Sequence, residues 1–138
     1  EPTGEDVYTF GSNPVAQAVA LKVIEILERD RVPARAARMG EIFTRGLVAL
    51  QARYPHIGDI RGPGLFIGVE MVKDPGTKEP ATAEAKRIVA EAWKRGVILA
   101  TASAVPNVLK IKPPLIITEA EVATVLQVFE DSLKAVYA

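Results

Sequence analysis

Residues 57–72 of the chain read IGDIRGPGLFIGVEMV, and this stretch decides the fold class. Every second residue from Leu65 to Met71 is large and apolar, which is the period of a strand with one buried face. The run Gly62-Pro63-Gly64 just before it is typical of a tight turn. The stretch therefore predicts two short strands joined at the glycines.

Helical patterns flank these strands on both sides. A first helix is predicted from the N-cap Asn13 to about Asp30, with apolar residues on more than one side. Further helices are predicted at about 33–54, at 82–95 with Trp93 on its apolar stripe, and after a capping box at 118–121. Two more strands are predicted at 97–100 and 108–111. This order predicts an α+β sandwich, a small and mainly antiparallel sheet with helices packed on one face.

Composition narrows the class of protein. The 138 residues carry 17 basic and 17 acidic side chains, so the positive field that binds nucleic acid or an anionic membrane is missing. The absence of cysteine excludes disulfides and thiolate metal sites and favours a cytoplasmic location. No apolar run approaches the roughly 20 residues that span a bilayer. The abrupt acidic start suits a chain cut from a longer one.

Residues for a self-contained active site are scarce. The sequence has no GxSxG, HExxH or GxxxxGK motif. His56 is the one histidine, and without a metal-spaced partner it is predicted to be a surface turn residue, so no metal site is expected.

Three segments nevertheless stand out. Thr9 and a flexible glycine precede a helix N-terminus, which suits either phosphate binding or a plain N-cap. Arg61 beside the turn could bind a carboxylate or pin two strand ends through carbonyl groups. Strand alternation places Lys110 and Lys112 on one face, as an anion site or a solvated edge.

Taken together, these segments resemble the C-terminal part of class III aminotransferases, pyridoxal-phosphate (PLP) enzymes of fold type I. The resemblance is carried by three ordered blocks: TFGSNPVA at 9–16, GDIRGPGLFIGVE at 58–70 and LKIKPPL at 109–115. It implies a homodimeric enzyme that transfers an amino group from an amine or amino acid to a keto acid. It also implies a division into the end of the large-domain segment at 1–12, an interdomain helix at 13–31 and the C-terminal small domain at 32–138.

The resemblance assigns two site residues and leaves the catalytic ones outside the chain. It implies that Thr9 binds the PLP phosphate of the partner subunit, and that the Schiff-base lysine lies upstream. None of Lys22, Lys73, Lys78, Lys86, Lys94 and Lys134 matches that lysine, and all are predicted to be exposed. The chain alone is therefore not expected to transaminate or to hold the cofactor.

At Lys110 the sequence departs from the pattern of class III aminotransferases, and the departure concerns substrate binding. Many class III members have an arginine there that grips the substrate carboxylate with two hydrogen bonds, and lysine is only a point charge. The pattern is especially similar to the branch of alanine–glyoxylate aminotransferase 2-like proteins and phospholyases. Two alternatives follow: a PLP-dependent phospholyase acting on a phosphorylated amine, or a non-catalytic α+β module that binds a partner through its first helix.

Overall fold

The computed structural model describes residues 13–102 and 104–138, so Thr9 lies outside the described residues. The elements are helices α1 (Pro14–Arg29) and α2 (Val32–Gln51), strands β1 (Ile57–Arg61) and β2 (Ile67–Met71), helix α3 (Thr82–Lys94), strands β3 (Ala100–Thr101) and β4 (Val108–Ile111), and helix α4 (Glu119–Tyr137). The chain divides into two compact units, Glu1–Pro33 and Ala34–Ala138.

Helix α1 belongs to the first unit and begins as the sequence predicts. The side chain of Asn13 accepts hydrogen bonds from the backbone N–H of Val15 at 2.9 Å and of Ala16 at 3.4 Å, and Pro14 takes the first helical position. No residue of the helix is buried. Most of its large apolar side chains, among them Val19 and Ile24, are exposed.

The second unit is built on a four-stranded sheet with the order β1-β2-β4-β3, in which every pair of neighbours is antiparallel. The period-two pattern of residues 65–71 has the predicted effect. Ile67, Val69 and Met71 on β2, with Leu109 and Ile111 on β4, all point to one side and are buried.

The same core contains the apolar stripes of α2, α3 and α4, represented by Phe43, Ile88 and Phe129. At the start of α4 the side chain of Thr118 accepts from the N–H of Glu121, and the carboxylate of Glu121 accepts from the N–H of Thr118. This is the predicted capping box. The structure therefore confirms the α+β class and the antiparallel sheet.

Two local predictions are wrong. Trp93 is 66 % exposed, because the buried stripe of α3 runs through Ala85, Ile88 and Ala92, and the next residue is turned by about 100° away from it. The third strand begins at Ala100 instead of Val97. Val97 still donates its N–H to Ala92 in the C-terminal turn of the helix, at 3.0 Å, and is not available for strand pairing.

Candidate anion-binding site on the sheet

The sheet face opposite the core carries most of the chain's candidate chemistry. We call it the outer face and define it by Asp59 and Arg61 on β1, Gly68 and Glu70 on β2, and Val108 and Lys110 on β4. Alternation along each strand places these residues on one side, because their neighbours Ile60, Val69 and Leu109 point towards the core. Charged groups from three strands therefore share one surface.

Lys110 is central on this face. It lies opposite Gly68 on β2 and opposite Ala100 on β3, so neither neighbour covers it with a long side chain. The residue is half-buried. Within the described part of the chain, its ammonium group has no carboxylate, hydrogen-bond or aromatic partner. A half-buried cation without a counter-ion is a place where an anionic group from outside can bind.

Lys110 is one of the residues that line a pocket of about 400 Å³. Apart from Lys110 and Arg61, its lining is apolar or small: Gly62, Pro63, Phe66, Ile67, Gly68, Ala102 and Val108. Such a lining with few polar groups is typical of small-molecule sites. The glycine at position 68 contributes to the space, since a Cβ there would lie 3.3 Å from Cγ1 of Val108.

Arg61 also lines the pocket, but its charge is paired with carboxylates of its own chain. Its Nη1 lies 2.6 Å from Oδ2 of Asp59 and 2.6 Å from Oε2 of Glu70. These hydrogen bonds raise the pKa of Arg61 above its ordinary value. The sequence left open whether this residue binds a carboxylate or pins strand ends through carbonyl groups. It binds two carboxylates of its own chain, Asp59 on the same strand and Glu70 on β2, and the second of these pairs ties β1 to β2.

Lys112 is exposed and interacts differently from Lys110. Its Nζ lies 5.7 Å from the ring centroid of Phe66, at a distance where a cation is attracted to an aromatic ring. Of the two lysines predicted to share a face, Lys110 is therefore the one that lines the pocket.

The six other lysines named from the sequence are exposed, as predicted. Four of them form ion pairs: Lys22 with Glu25, Lys73 with Glu79, Lys94 with Glu91, and Lys134 with Glu130. An exposed, paired ammonium group stays protonated and is a poor nucleophile.

His56 is less exposed than the sequence predicts. It is half-buried in the turn before β1, and its ring meets the ring of Tyr137 edge-on with centroids 4.0 Å apart. Burial, with the charge of Glu84 as a second cause, raises the pKa of Tyr137 to about 12.

Within the described residues no group of three or more histidine, aspartate or glutamate side chains is placed to hold a metal ion.

Sequence reasoning missed Asn107, the residue just before β4. It is only 2 % exposed, and its Nδ2 donates to the carbonyl oxygen of Met71 at 3.0 Å. The backbone N–H of Met71 in turn donates to the carbonyl of Asn107 at 2.8 Å. A buried amide side chain is uncommon unless it is hydrogen-bonded, so this contact sets Asn107 apart in the structure. The sequence gives no sign of it, because an asparagine after a proline is typical of any turn.

Comparison with known proteins identifies the family. The model of the aminotransferase class-III family matches residues 2–133. The chain therefore belongs to this family. None of the helices that the structure describes is both long and apolar enough to cross a membrane.

Individual relatives are named for different reactions. The chain is 43% identical over 122 residues to a taurine–pyruvate aminotransferase of Bilophila wadsworthia, covering 85% of this chain and 27% of that protein. It is 35% identical over 130 residues to an isoleucine 2-epimerase of Lentilactobacillus buchneri, covering 94% and 28%. A solved phospholyase from Arthrobacter in complex with phosphoethanolamine superposes with a TM-score of 0.83 at 30% identity, covering 88% and 29%. The chain thus spans under a third of the length of these relatives.

Proposed function

We propose that this chain is the C-terminal portion of a PLP-dependent class III aminotransferase, which transfers an amino group from an amine or amino acid to a keto acid. The family supports the reaction class, and the 43% identity to an aminotransferase favours transfer over the other reactions named above. The observation that carries the proposal is that Lys110, whose ammonium group has no partner among the described residues, lines a largely apolar pocket.

The described residues would hold the substrate. Lys110 would attract the acid group of an amino acid, sulfonate or keto acid, and the apolar lining would enclose the carbon chain. Asp59 and Glu70 already pair with Arg61, so among the described residues that line the pocket Lys110 is the cation left for the acid group. PLP, when bound, supplies an electron sink at the carbon that carries the amino group.

Cofactor binding is proposed for residues outside the described part of the chain. Thr9 would hydrogen-bond the PLP phosphate of the partner subunit in a homodimer, and the Schiff-base lysine would come from the upstream large domain. The exposed apolar side chains of α1 support a covering partner, because an apolar helix in the intact protein needs one. On this proposal residues 13–31 form the interdomain helix, 32–138 the small domain, and the enzyme is cytoplasmic.

An assay of the intact protein that contains this chain tests the proposal. Taurine as donor and pyruvate as acceptor are the first substrates to try, because a relative is named for them. Aminotransfer predicts keto-acid-dependent loss of donor amine. Release of inorganic phosphate from phosphoethanolamine without a keto acid would instead support the phospholyase alternative. If the protein turned over neither taurine with pyruvate nor phosphoethanolamine, the result would contradict the proposed reaction.

Two variants test the site within that assay. Lys110→Ala is expected to raise the KM for taurine about tenfold or more, because a charged hydrogen bond contributes about 1.5–3 kcal/mol. Lys112→Ala is the matched control, since Lys112 is a lysine just past the end of β4 that does not line the pocket, and its ammonium group lies over the ring of Phe66. Equal effects of the two variants would remove Lys110 from the site.

A further inference from the structure

The pairing of β2 with β4 is short for a strand pair that must hold Lys110 on the outer face. Four residue pairs define it, from Glu70 with Val108 to Ile67 with Ile111. Shifting an antiparallel pair by one residue turns every side chain to the opposite face. Such a shift would move Lys110 into the core and an apolar neighbour into the pocket.

Asn107 supplies a contact that exists in one register only. Its backbone carbonyl accepts from the N–H of Met71, and its side-chain Nδ2 donates back to the carbonyl of the same residue. That carbonyl also accepts from the N–H of Ala81, which precedes α3, at 3.1 Å. The end of β2, the start of β4 and the start of α3 are thus joined at Met71.

We propose that Asn107 is a positioning residue for Lys110, fixing the register that directs this ammonium group into the pocket. If β4 slipped by one residue, the buried amide of Asn107 would lose its hydrogen bond to Met71, which disfavours the shifted register. Buried asparagine has the same register-fixing use in coiled coils. The inference rests on the proposed function, because it takes Lys110 as the group that binds the acid end of the substrate.

The test measures the amine half-reaction of the intact, PLP-loaded enzyme with the donor alone, so that the acid group of the keto acid plays no part. Taurine is the anionic donor and propylamine the uncharged one. Asn107→Ala is expected to raise the half-saturating taurine concentration of this single turnover about three- to tenfold, the equivalent of one hydrogen bond, while the second-order rate constant for propylamine stays within about twofold.

Ser132→Ala is the matched control for loss of a buried polar group. Ser132 is fully buried and its Oγ donates to the carbonyl of Val128 at 2.7 Å, on α4 and away from the pocket. It is expected to shift neither donor selectively. Asn107→Leu keeps a similar size and branching and removes the donor without adding a charge, so it should reproduce the selective effect if the alanine variant folds poorly.

Three outcomes overturn the inference. Equal effects on both donors, the same selectivity in Ser132→Ala, or loss of folding in both Asn107 variants would give Asn107 a general structural role. Lys110→Ala separates this failure from that of the proposed function. If Lys110→Ala impairs the reaction of taurine more than that of propylamine and the Asn107 variants do not, only the positioning role fails. If Lys110→Ala affects both donors equally, the assignment of Lys110 fails as well.

Discussion

Gly40 on α2 packs directly on the backbone of Gly64, in the turn between β1 and β2. A Cβ on Gly40 would overlap the carbonyl group of Gly64, and Gly64 itself adopts a positive φ of 53°. The turn that begins β2, and with it one wall of the pocket, therefore rests on a helix that has no side chain at this position. The glycine in the helix costs about 1 kcal/mol in helix propensity, which the close packing offsets.

Gly40→Ala is expected to lower the free energy of unfolding by about 1–3 kcal/mol, because backbone cannot move aside as a side chain can. Gly46→Ala on the same helix is the matched control. Its Cβ would meet the terminal methyl groups of Leu126, which can rotate away, so the helix-propensity gain should cancel most of the strain. Urea unfolding monitored by circular dichroism gives both values. Equal losses would contradict the close contact with the turn.

The capping box of α4 gives a second prediction. Thr118→Ala removes the side-chain acceptor for the N–H of Glu121 and should destabilise the chain by about 0.5–2 kcal/mol. Thr124→Ala is the control, because Thr124 is exposed within the helix and its Oγ1 only donates to the carbonyl of Ala120. Alanine is expected to be neutral or slightly stabilising there. A loss at Thr124 as large as at Thr118 would argue against a specific cap.

The hydrogen bonds and ion pairs of Glu130 make the stability of the fold depend on pH. Its carboxylate accepts from Arg53 at 2.8 and 3.0 Å and pairs with Lys134 at 3.1 Å, and the hydrogen bond from Arg53 is the main cause that lowers its pKa from 4.5 to about 2. A folded-state pKa below the unfolded one stabilises the fold above about pH 4.5. This contribution is lost as the pH falls from about 4.5 towards 2.

Glu130→Gln should therefore lower the Tm at pH 7 and bring it closer to that of the unaltered chain near pH 2. Thermal unfolding across this range measures the difference. Glu119→Gln is the control, since its pair with Arg38 is more than half exposed on both sides, and such pairs contribute little to stability. A constant gap between Glu130→Gln and the unaltered chain at every pH would contradict the ion pair as its cause.

Much of the fold follows from periodicity that local chemistry reinforces. The alternation of residues 65–71, the cap at Asn13 and the capping box at Thr118 are short-range patterns, and each has its predicted structure. The errors occur where tertiary packing decides. Val97 donates its N–H to a carbonyl at the end of α3, and Trp93 lies just off the stripe that faces the core.

The site was predictable in part. Strand alternation places Lys110 on the face opposite Leu109, as the structure confirms. That Arg61 would be neutralised by Asp59 and Glu70 depends on the register between β1 and β2, which the sequence does not specify. The buried bond from Asn107 to Met71 joins residues 36 positions apart, so no local pattern reveals it. The role of Thr9 stays a prediction, because it lies outside the described residues.

Cofactor uptake by the intact protein tests the central claim most directly. Purified with PLP and desalted, it is expected to retain the cofactor stoichiometrically, with a visible absorbance band. Thr9→Ala should retain it more weakly, by about 1.5–3 kcal/mol for each hydrogen bond lost to the charged phosphate. An unchanged PLP affinity in Thr9→Ala would remove only that residue, whereas an intact, folded protein that never takes up PLP would contradict the account as a whole.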